Sequence, residues 1–329
     1  MWFNIDGRDK KYRDELGAFI ERGYKIRIKS MKEHKRGWYG ETWKIDCADG
    51  RHLFAKIIYF PKQATIYQRC FPVLEYMKNN GIDFVSQFIP AANGESYLTF
   101  KGGTLGLFKF VDGIHADNGG TDDNPVRLAP YMVKIYNLPL PAFDVEREDY
   151  SYDTFAYLEN QMRELKKKDP EAYGIVKANW DVMVSVNENK KRFAEICRKK
   201  QSRLYITSGD IGGNSLINDK GEIIIIDWDW IKLATPERDF CWYFKDPKLM
   251  DEINNAFAAA GFDYKLDMDI VSYWIYFNHI YFLTETIDCL LFNPLSRAQV
   301  IQRIKWHFDE NMCFVQRLEH LEKLHKEAK

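Results

Sequence analysis

The sequence predicts an α+β chain of two lobes: a small antiparallel β-sheet lobe over residues 1–112 and a larger, mainly helical lobe over residues 113–329. Three observations carry that prediction. Between about 24 and 111, short stretches alternate polar and apolar residues and are separated by glycine-containing turns, the signature of half-buried strands. At Asp112-Gly113 the character changes to a turn-rich stretch, His115-Ala-Asp-Asn-Gly-Gly-Thr-Asp-Asp-Asn-Pro125. Beyond it apolar residues recur at helical spacing, interrupted only by a loop-and-strand insert near 204–232.

The elements follow in order. Tyr24-Lys-Ile-Arg-Ile-Lys29 and Trp43-Lys-Ile-Asp46 alternate as strands, and Ala48-Asp-Gly50 is a turn leading to the strand His52–Tyr59. Ile66, Cys70, Val73, Leu74 and Met77 recur at three- and four-residue steps, which predicts a helix over 64–80 stopped by Gly81. Ser96–Phe100 and Leu105–Val111 read as a hairpin around Lys101-Gly-Gly103. A helix over Leu128–Leu138 is closed by Pro139. Phe193, Ile196 and Cys197 mark the inner face of a basic helix. Ile301, Ile304, Phe308, Met312, Val315 and Leu318 mark a single C-terminal one. The lysine clusters at 166–168, 190–192 and 199–200 are expected on solvated helix faces.

Composition narrows the function classes. Lysine plus arginine number 47 against 48 acids, a net charge of −1 that gives no general pull toward nucleic acid or anionic lipid. The six cysteines are scattered without a C-x-x-C pair, and the seven histidines show no metal-ligand spacing, so neither zinc nor a disulfide framework is expected. The N-terminus lacks a basic region followed by a long apolar run, and no apolar stretch is long enough to span a bilayer. A cytoplasmic protein with reduced thiols is the expectation; its oligomeric state is left open.

The chemistry concentrates in one segment. Asp210 lies in Ser208-Gly-Asp-Ile-Gly-Gly-Asn214, and Asp227 follows seventeen residues later at the exit of the strand Ile223-Ile-Ile-Ile226, with Asp229 two residues beyond. Two carboxylates and an asparagine at a strand-loop-strand corner are what phosphoryl transfer from Mg-ATP requires: one carboxylate to position an acceptor hydroxyl, the other groups to hold the metal. On an extended segment Asp229 shares the face of Asp227, with a metal, a substrate amine or a supporting contact as alternative roles.

This segment, together with Leu233-Ala-Thr-Pro-Glu-Arg-Asp239, resembles the corresponding segment of the aminoglycoside phosphotransferase and choline-kinase-like family, relatives of the protein kinases. Element order is similar over nearly the whole chain, whereas the specific motifs lie within 206–239. The resemblance implies a two-lobed protein-kinase-like fold and transfer of the γ-phosphoryl group of ATP, or GTP, with Mg²⁺, to a small-molecule hydroxyl. It implies that Asp210 is the catalytic base, that Asn214 and Asp227 are metal ligands with Asp229 beside them, and that Lys56 contacts the α- and β-phosphates. The turn Gly37-Trp-Tyr-Gly40 would cover the phosphates. Phe108, Phe110 and Val111, in Phe108-Lys-Phe-Val-Asp-Gly113, would form the connector beside the adenine.

The chain departs from that pattern at three points. Ser208 stands where the family has histidine, Asn214 follows Asp210 by four residues rather than five, and the helix carboxylate expected to orient Lys56 is replaced by Gln68, with Glu75 two turns on as the alternative. The acceptor class implied is a cationic small molecule, an aminoglycoside or related aminocyclitol, or else choline or another amino-alcohol or sugar. Asp263, Asp267, Glu285 and Asp288 are the acidic residues placed to meet it. No A-P-E segment follows Asp227, so a protein substrate is not indicated. The alternative is a catalytically weak nucleotide-binding sensor on the same scaffold.

Overall fold

The structure is a computed structural model that describes residues 10–34, 39–115, 125–244, 247–292, 297–309 and 313–327. The chain forms two compact units. The first holds the described residues of Met1–Asp123, Leu138–Val145 and Ser208–Ile231; the second holds those of Asn124–Asn137, Glu146–Thr207 and Lys232–Lys329. This division differs from a single boundary after residue 112, because 208–231 groups with the N-terminal residues.

The first unit opens with a helix the sequence reading did not contain, α1 (Lys10–Tyr24), whose Leu16, Ile20 and Tyr24 are buried at every fourth position. Lys25, at φ 52, ends it in the left-handed conformation common after a helix. The first strand therefore starts later than 24: β1 is Ile28–Glu33. It is followed by β2 (Gly40–Cys47), β3 (His52–Ile58) and α2 (Pro61–Asn79), which begins three residues before the expected 64. β4 (Leu98–Phe100) and β5 (Gly103–Lys109) form the expected hairpin. Its two central residues, Lys101 and Gly102, both have positive φ, 47° and 82°, as a type I′ turn demands.

The five strands make one antiparallel sheet, ordered β1-β2-β3-β5-β4. Trp43, Ile45, Leu53, Ala55, Ile57, Leu105 and Leu107 form its buried face with Leu16 and Ile20 of α1. Tyr12 donates to both oxygens of the buried Glu41 carboxylate at 2.8 and 2.9 Å, and this part-buried contact ties α1 to the sheet. The short strand β6 (Ile114–His115) closes this part of the chain.

The second unit contains α3 (Pro125–Tyr136), α4 (Thr154–Lys168), α5 (Pro170–Ala178), α6 (Trp180–Lys200) and β7 (Tyr205–Thr207). The strands β8 (Ser215–Ile217) and β9 (Ile223–Ile225) return to the first unit, where β8 pairs with both β6 and β9. The second unit resumes with β10 (Lys232–Ala234), paired to β7, and continues through α7 (Glu237–Phe240), α8 (Pro247–Ala259), α9 (Met268–Phe292), α10 (Arg297–His307) and α11 (Cys313–Glu327). α9 is apolar on nearly every side and buried almost throughout, the pattern of a central core helix. No helix among the described residues is long and apolar enough to cross a membrane.

Two expectations for the second unit are corrected. The C-terminal periodicity belongs to two helices, α10 and α11, because the chain turns at Asp309, whose N–H reaches Trp306 O. Lys190 is not solvated. Its side chain is buried and its ammonium donates to Thr154 Oγ1 at 3.1 Å and Tyr152 O at 3.3 Å. Burial lowers its pKa to about 8, against the opposing pull of Asp153.

Candidate functional site

Lys56 sits mid-strand in β3, opposite Thr42 on β2 and Gly106 on β5. Its Nζ donates to Asp227 Oδ1 at 2.7 Å and to Asp229 Oδ2 at 2.6 Å, joining residues more than 170 positions apart within the first unit. The lysine side chain is 14% exposed, Asp229 23% and Asp227 42%. Burial alone would lower the Lys56 pKa, but Asp227 and then Asp229 hold its ammonium well above the usual range. The Asp229 carboxyl is pushed up to about 6 by burial, with Lys56 opposing and the charge of Asp227 adding to the rise.

The two carboxylates converge by a turn, which corrects the expectation of an extended segment. Asp227 has φ +60°, a left-handed conformation that aspartate tolerates better than most residues. The neighbouring Trp228 secures it: its ring is buried and its Nε1 donates to Ile225 O at 2.9 Å.

The Asp210 loop is shaped by two glycines at positive φ, Gly209 (79°) and Gly213 (74°), and is pinned by the fully buried Ile211. Asn214 Nδ2 donates to Asp210 O at 2.7 Å, which directs the amide nitrogen back into the loop and leaves the side-chain oxygen as the acceptor. Ile226 N donates to Asn214 O at 2.8 Å, so the β8–β9 hairpin holds Asn214 beside the residue preceding Asp227. Asp210 is half-buried at the head of this loop. Ser208 is fully buried, and its hydroxyl has no hydrogen-bond partner. The structure thus brings Asp210, Asn214, Asp227, Asp229 and Lys56 into one unit, with direct contacts linking Lys56 to both later aspartates.

The remaining expected residues are placed as follows. Gly40 begins β2, where an added Cβ would press on Lys56 Cε at 3.3 Å and Cγ at 3.4 Å; the glycine makes room for the lysine stem. Gly37 lies outside the described residues. Phe108 is buried against Phe71, with ring centroids 5.9 Å apart. The Phe110 N–H is taken by His52 O at 3.0 Å, and the Phe110 ring lies under the Lys44 ammonium at 4.1 Å. Val111 follows at the half-buried end of the segment.

The expectation that Glu75 or Gln68 orients Lys56 is corrected. Glu75 points from α2 into solvent, and Gln68 Nε2 donates instead to Thr104 Oγ1 at 2.7 Å. What α2 offers the lysine is the ring of Tyr67, 5.6 Å from its Nζ. Sequence reasoning missed this tyrosine. The one available signal was Gly106, since a glycine inside a strand marks a close approach. A Cβ there would lie 2.2 Å from the Tyr67 hydroxyl oxygen.

The donor set suits a hard divalent cation. Two carboxylates and an amide oxygen are oxygen ligands of the kind Mg²⁺ takes when substrate phosphates and water complete its shell. Among the described residues no three His, Cys, Asp or Glu side chains are arranged to hold a metal by themselves. The residues present therefore fit a metal carried in with a phosphorylated ligand.

In the second unit, Glu237, Arg238 and Asp239 are buried and hydrogen-bonded. Arg238 donates to Thr207 Oγ1 at 2.9 Å, Tyr136 to Asp239 at 2.8 Å and Tyr264 to Glu237 at 2.9 Å. Of the acids proposed to meet a cationic acceptor, Asp263 is exposed and Asp267 is paired with Lys200 at 2.5 Å. Glu285 and Asp288 are buried in α9. Asp288 accepts from Tyr157 at 2.8 Å and from Gln161 at 2.6 Å. Burial first, then Asp288, raises the phenol pKa of both Tyr157 and the surface-facing Tyr152; Glu285 acts on both as well.

No family model matches this chain, and no curated protein matches it by sequence. Solved structures do match it by shape. A spectinomycin phosphotransferase crystallised with ADP and spectinomycin aligns with a TM-score of 0.71 at 18% identity, covering 94% of this chain and 98% of that one. A microcompartment-associated aminopropanol kinase aligns at 0.65 and 12% identity, over 95% and 98%. An amicoumacin kinase in complex with AMP-PNP, Ca²⁺ and Ami aligns at 0.58 and 13%, over 93% and 96%. The chain has the two-lobed α+β, protein-kinase-like fold that the aminoglycoside phosphotransferases share with related small-molecule kinases.

Proposed function

We propose that this chain is a small-molecule kinase that moves the γ-phosphoryl group of ATP or GTP to a hydroxyl of a small acceptor. The observation that carries the reading is the convergence of Lys56, Asp227 and Asp229, from opposite ends of the first unit, beside the Asp210–Asn214 loop. Lys56 contacts the nucleotide phosphates, and Asn214 and Asp227 hold the Mg²⁺ that accompanies them. The metal, when bound, supplies charge neutralisation at the phosphates. Asp210 orients the acceptor hydroxyl and takes its proton. The new O–P bond forms as the γ-phosphorus parts from its bridging oxygen, and the electron pair leaves with the nucleoside diphosphate.

For the acceptor we propose a cationic amino-alcohol or aminocyclitol. Support comes from the acceptors of similarly folded proteins, one crystallised with spectinomycin and one an aminopropanol kinase. A cytoplasmic location accords with ATP as donor.

The test is nucleotide consumption with Mg-ATP and Mg-GTP against spectinomycin, a panel of aminoglycosides, choline and aminopropanol. Acceptor-dependent release of nucleoside diphosphate, absent in Asp210→Asn, is the expected result. Nucleotide binding with no turnover on any hydroxyl acceptor would instead favour the sensor reading, which the buried Ser208 in place of a loop histidine supports.

A further inference from the structure

The lysine of this site has no helix carboxylate, and yet it is held. Glu75 is exposed, and Gln68 is engaged with Thr104 on the neighbouring strand. Lys56 is fixed from three other directions. The Asp229 carboxylate lies 2.6 Å from its Nζ, the Tyr67 ring 5.6 Å away, and Gly40 leaves just enough room for its stem. Asp229 is the more buried of its two acidic partners, and a carboxylate withdrawn from water grips a lysine harder than one at the surface.

Building on the kinase reading, we propose that Asp229 is the positioning residue for Lys56. It takes over, from the turn after the metal aspartate, the task that a helix carboxylate performs elsewhere, with the Tyr67 ring as the second support. Asp227 is then released to the metal when nucleotide arrives, while Asp229 stays on the lysine. Lys56 consequently meets the phosphates with its ammonium already oriented, whether or not a metal is present.

Metal-free nucleotide binding separates this role from metal ligation. ADP affinity is measured by calorimetry in excess EDTA, and the Mg²⁺ concentration that half-restores tight binding is measured separately. Lys56→Met should weaken metal-free ADP binding by roughly 10-fold or more, the worth of a charged hydrogen bond to phosphate. Asp229→Asn should weaken it by about the same factor, the double variant should be no worse than Lys56→Met alone, and the Mg²⁺ midpoint should not move. Asp229→Glu should recover part of the loss and serves if the asparagine variant misfolds. Glu75→Gln should bind as wild type.

Three results overturn the proposal. One is Asp229→Asn binding metal-free ADP as tightly as wild type while its Mg²⁺ midpoint shifts. Another is full additivity with Lys56→Met. The third is a loss in Glu75→Gln equal to that of Lys56→Met. Failure of the wild-type chain to bind ADP at all would remove the kinase reading itself, and this proposal with it.

Discussion

Replacing Gly106 with alanine tests the packing that holds Lys56. Gly106 is the cross-strand partner of Lys56, and an added Cβ would lie 2.2 Å from the Tyr67 hydroxyl, 2.7 Å from Phe71 Cζ and 3.0 Å from Phe108 Cε2. Tyr67 and Phe71 are fully buried, so neither ring has solvent to retreat into. Two contacts below 3.0 Å place the substitution at the upper end of core overpacking, about 3 kcal/mol. For a chain of this size that corresponds to a melting temperature lower by roughly 4 °C.

The structure also supplies a partial rescue. The Tyr67 hydroxyl is buried without a hydrogen-bond partner, so Tyr67→Phe alone should be neutral or stabilising by about 1 kcal/mol. In the double variant the tightest clash disappears, and about half of the alanine penalty should be recovered. Thermal and urea melts followed by circular dichroism read all three variants. A Gly106→Ala melting point within 1 °C of wild type, or strict additivity of the two changes, would refute the reasoning.

Asp210→Asn should leave folding and nucleotide affinity intact while turnover falls by a factor of about 10² to 10⁴, the usual loss for a positioned base; normal turnover in a folded variant would remove Asp210 from that role. Glu237 gives a pH dependence. Burial raises its pKa from 4.5 to about 6, above its unfolded value, so the folded state binds the proton more tightly. Its contribution to stability is fully present below pH 4.5 and is lost as pH rises through 6, to the extent of about 2 kcal/mol. Glu237→Gln should flatten that slope in unfolding free energies measured from pH 4.5 to 7.5, and an unchanged slope would count against it.

The sequence carried the β2–β3 hairpin, the I′ turn at Lys101-Gly102 and the aspartate pair, because each is fixed by local chemistry: alternation, turn residues, or a short strand ending in a carboxylate. It did not carry α1. The alternation of Tyr24–Lys29 competes with the helical spacing of Leu16, Ile20 and Tyr24, and packing of α1 on the sheet decides the outcome. Nor did it carry the partners of Lys56. Glu75 is a sound candidate by helix spacing, yet it faces solvent, whereas Asp229 is 173 residues away and reaches the lysine only because Asp227 turns the chain with a positive φ. The buried state of Lys190 escaped for a similar reason: a lysine run reads as a wet face until tertiary contacts cover one member of it.

Lys56, Asp227 and Asp229 bring two negative charges against one positive, and that surplus is a cost to the folded chain. A carboxylate withdrawn from water is tolerated when it is paired, and here the partly buried Asp229 shares its one ammonium with the more exposed Asp227. Burial raises the Asp229 pKa, Lys56 opposes the rise and the charge of Asp227 adds to it, so the cost falls on Asp229. A cluster selected for stability alone would be neutral; one selected for a metal-bearing ligand keeps the extra charge. Asp227→Asn separates the two. Asparagine accepts the left-handed backbone at 227, its side-chain oxygen still reaches Lys56, and the repulsion with Asp229 is gone. The unliganded variant should therefore be as stable as wild type or more so, by up to about 1 kcal/mol, while the Mg²⁺-dependent gain in nucleotide affinity disappears. Thermal melts without ligand and nucleotide titrations with and without Mg²⁺ give both quantities from one preparation. A variant that melts several degrees early yet keeps its full magnesium effect would make Asp227 a structural partner of Lys56 and would return the metal to Asp229.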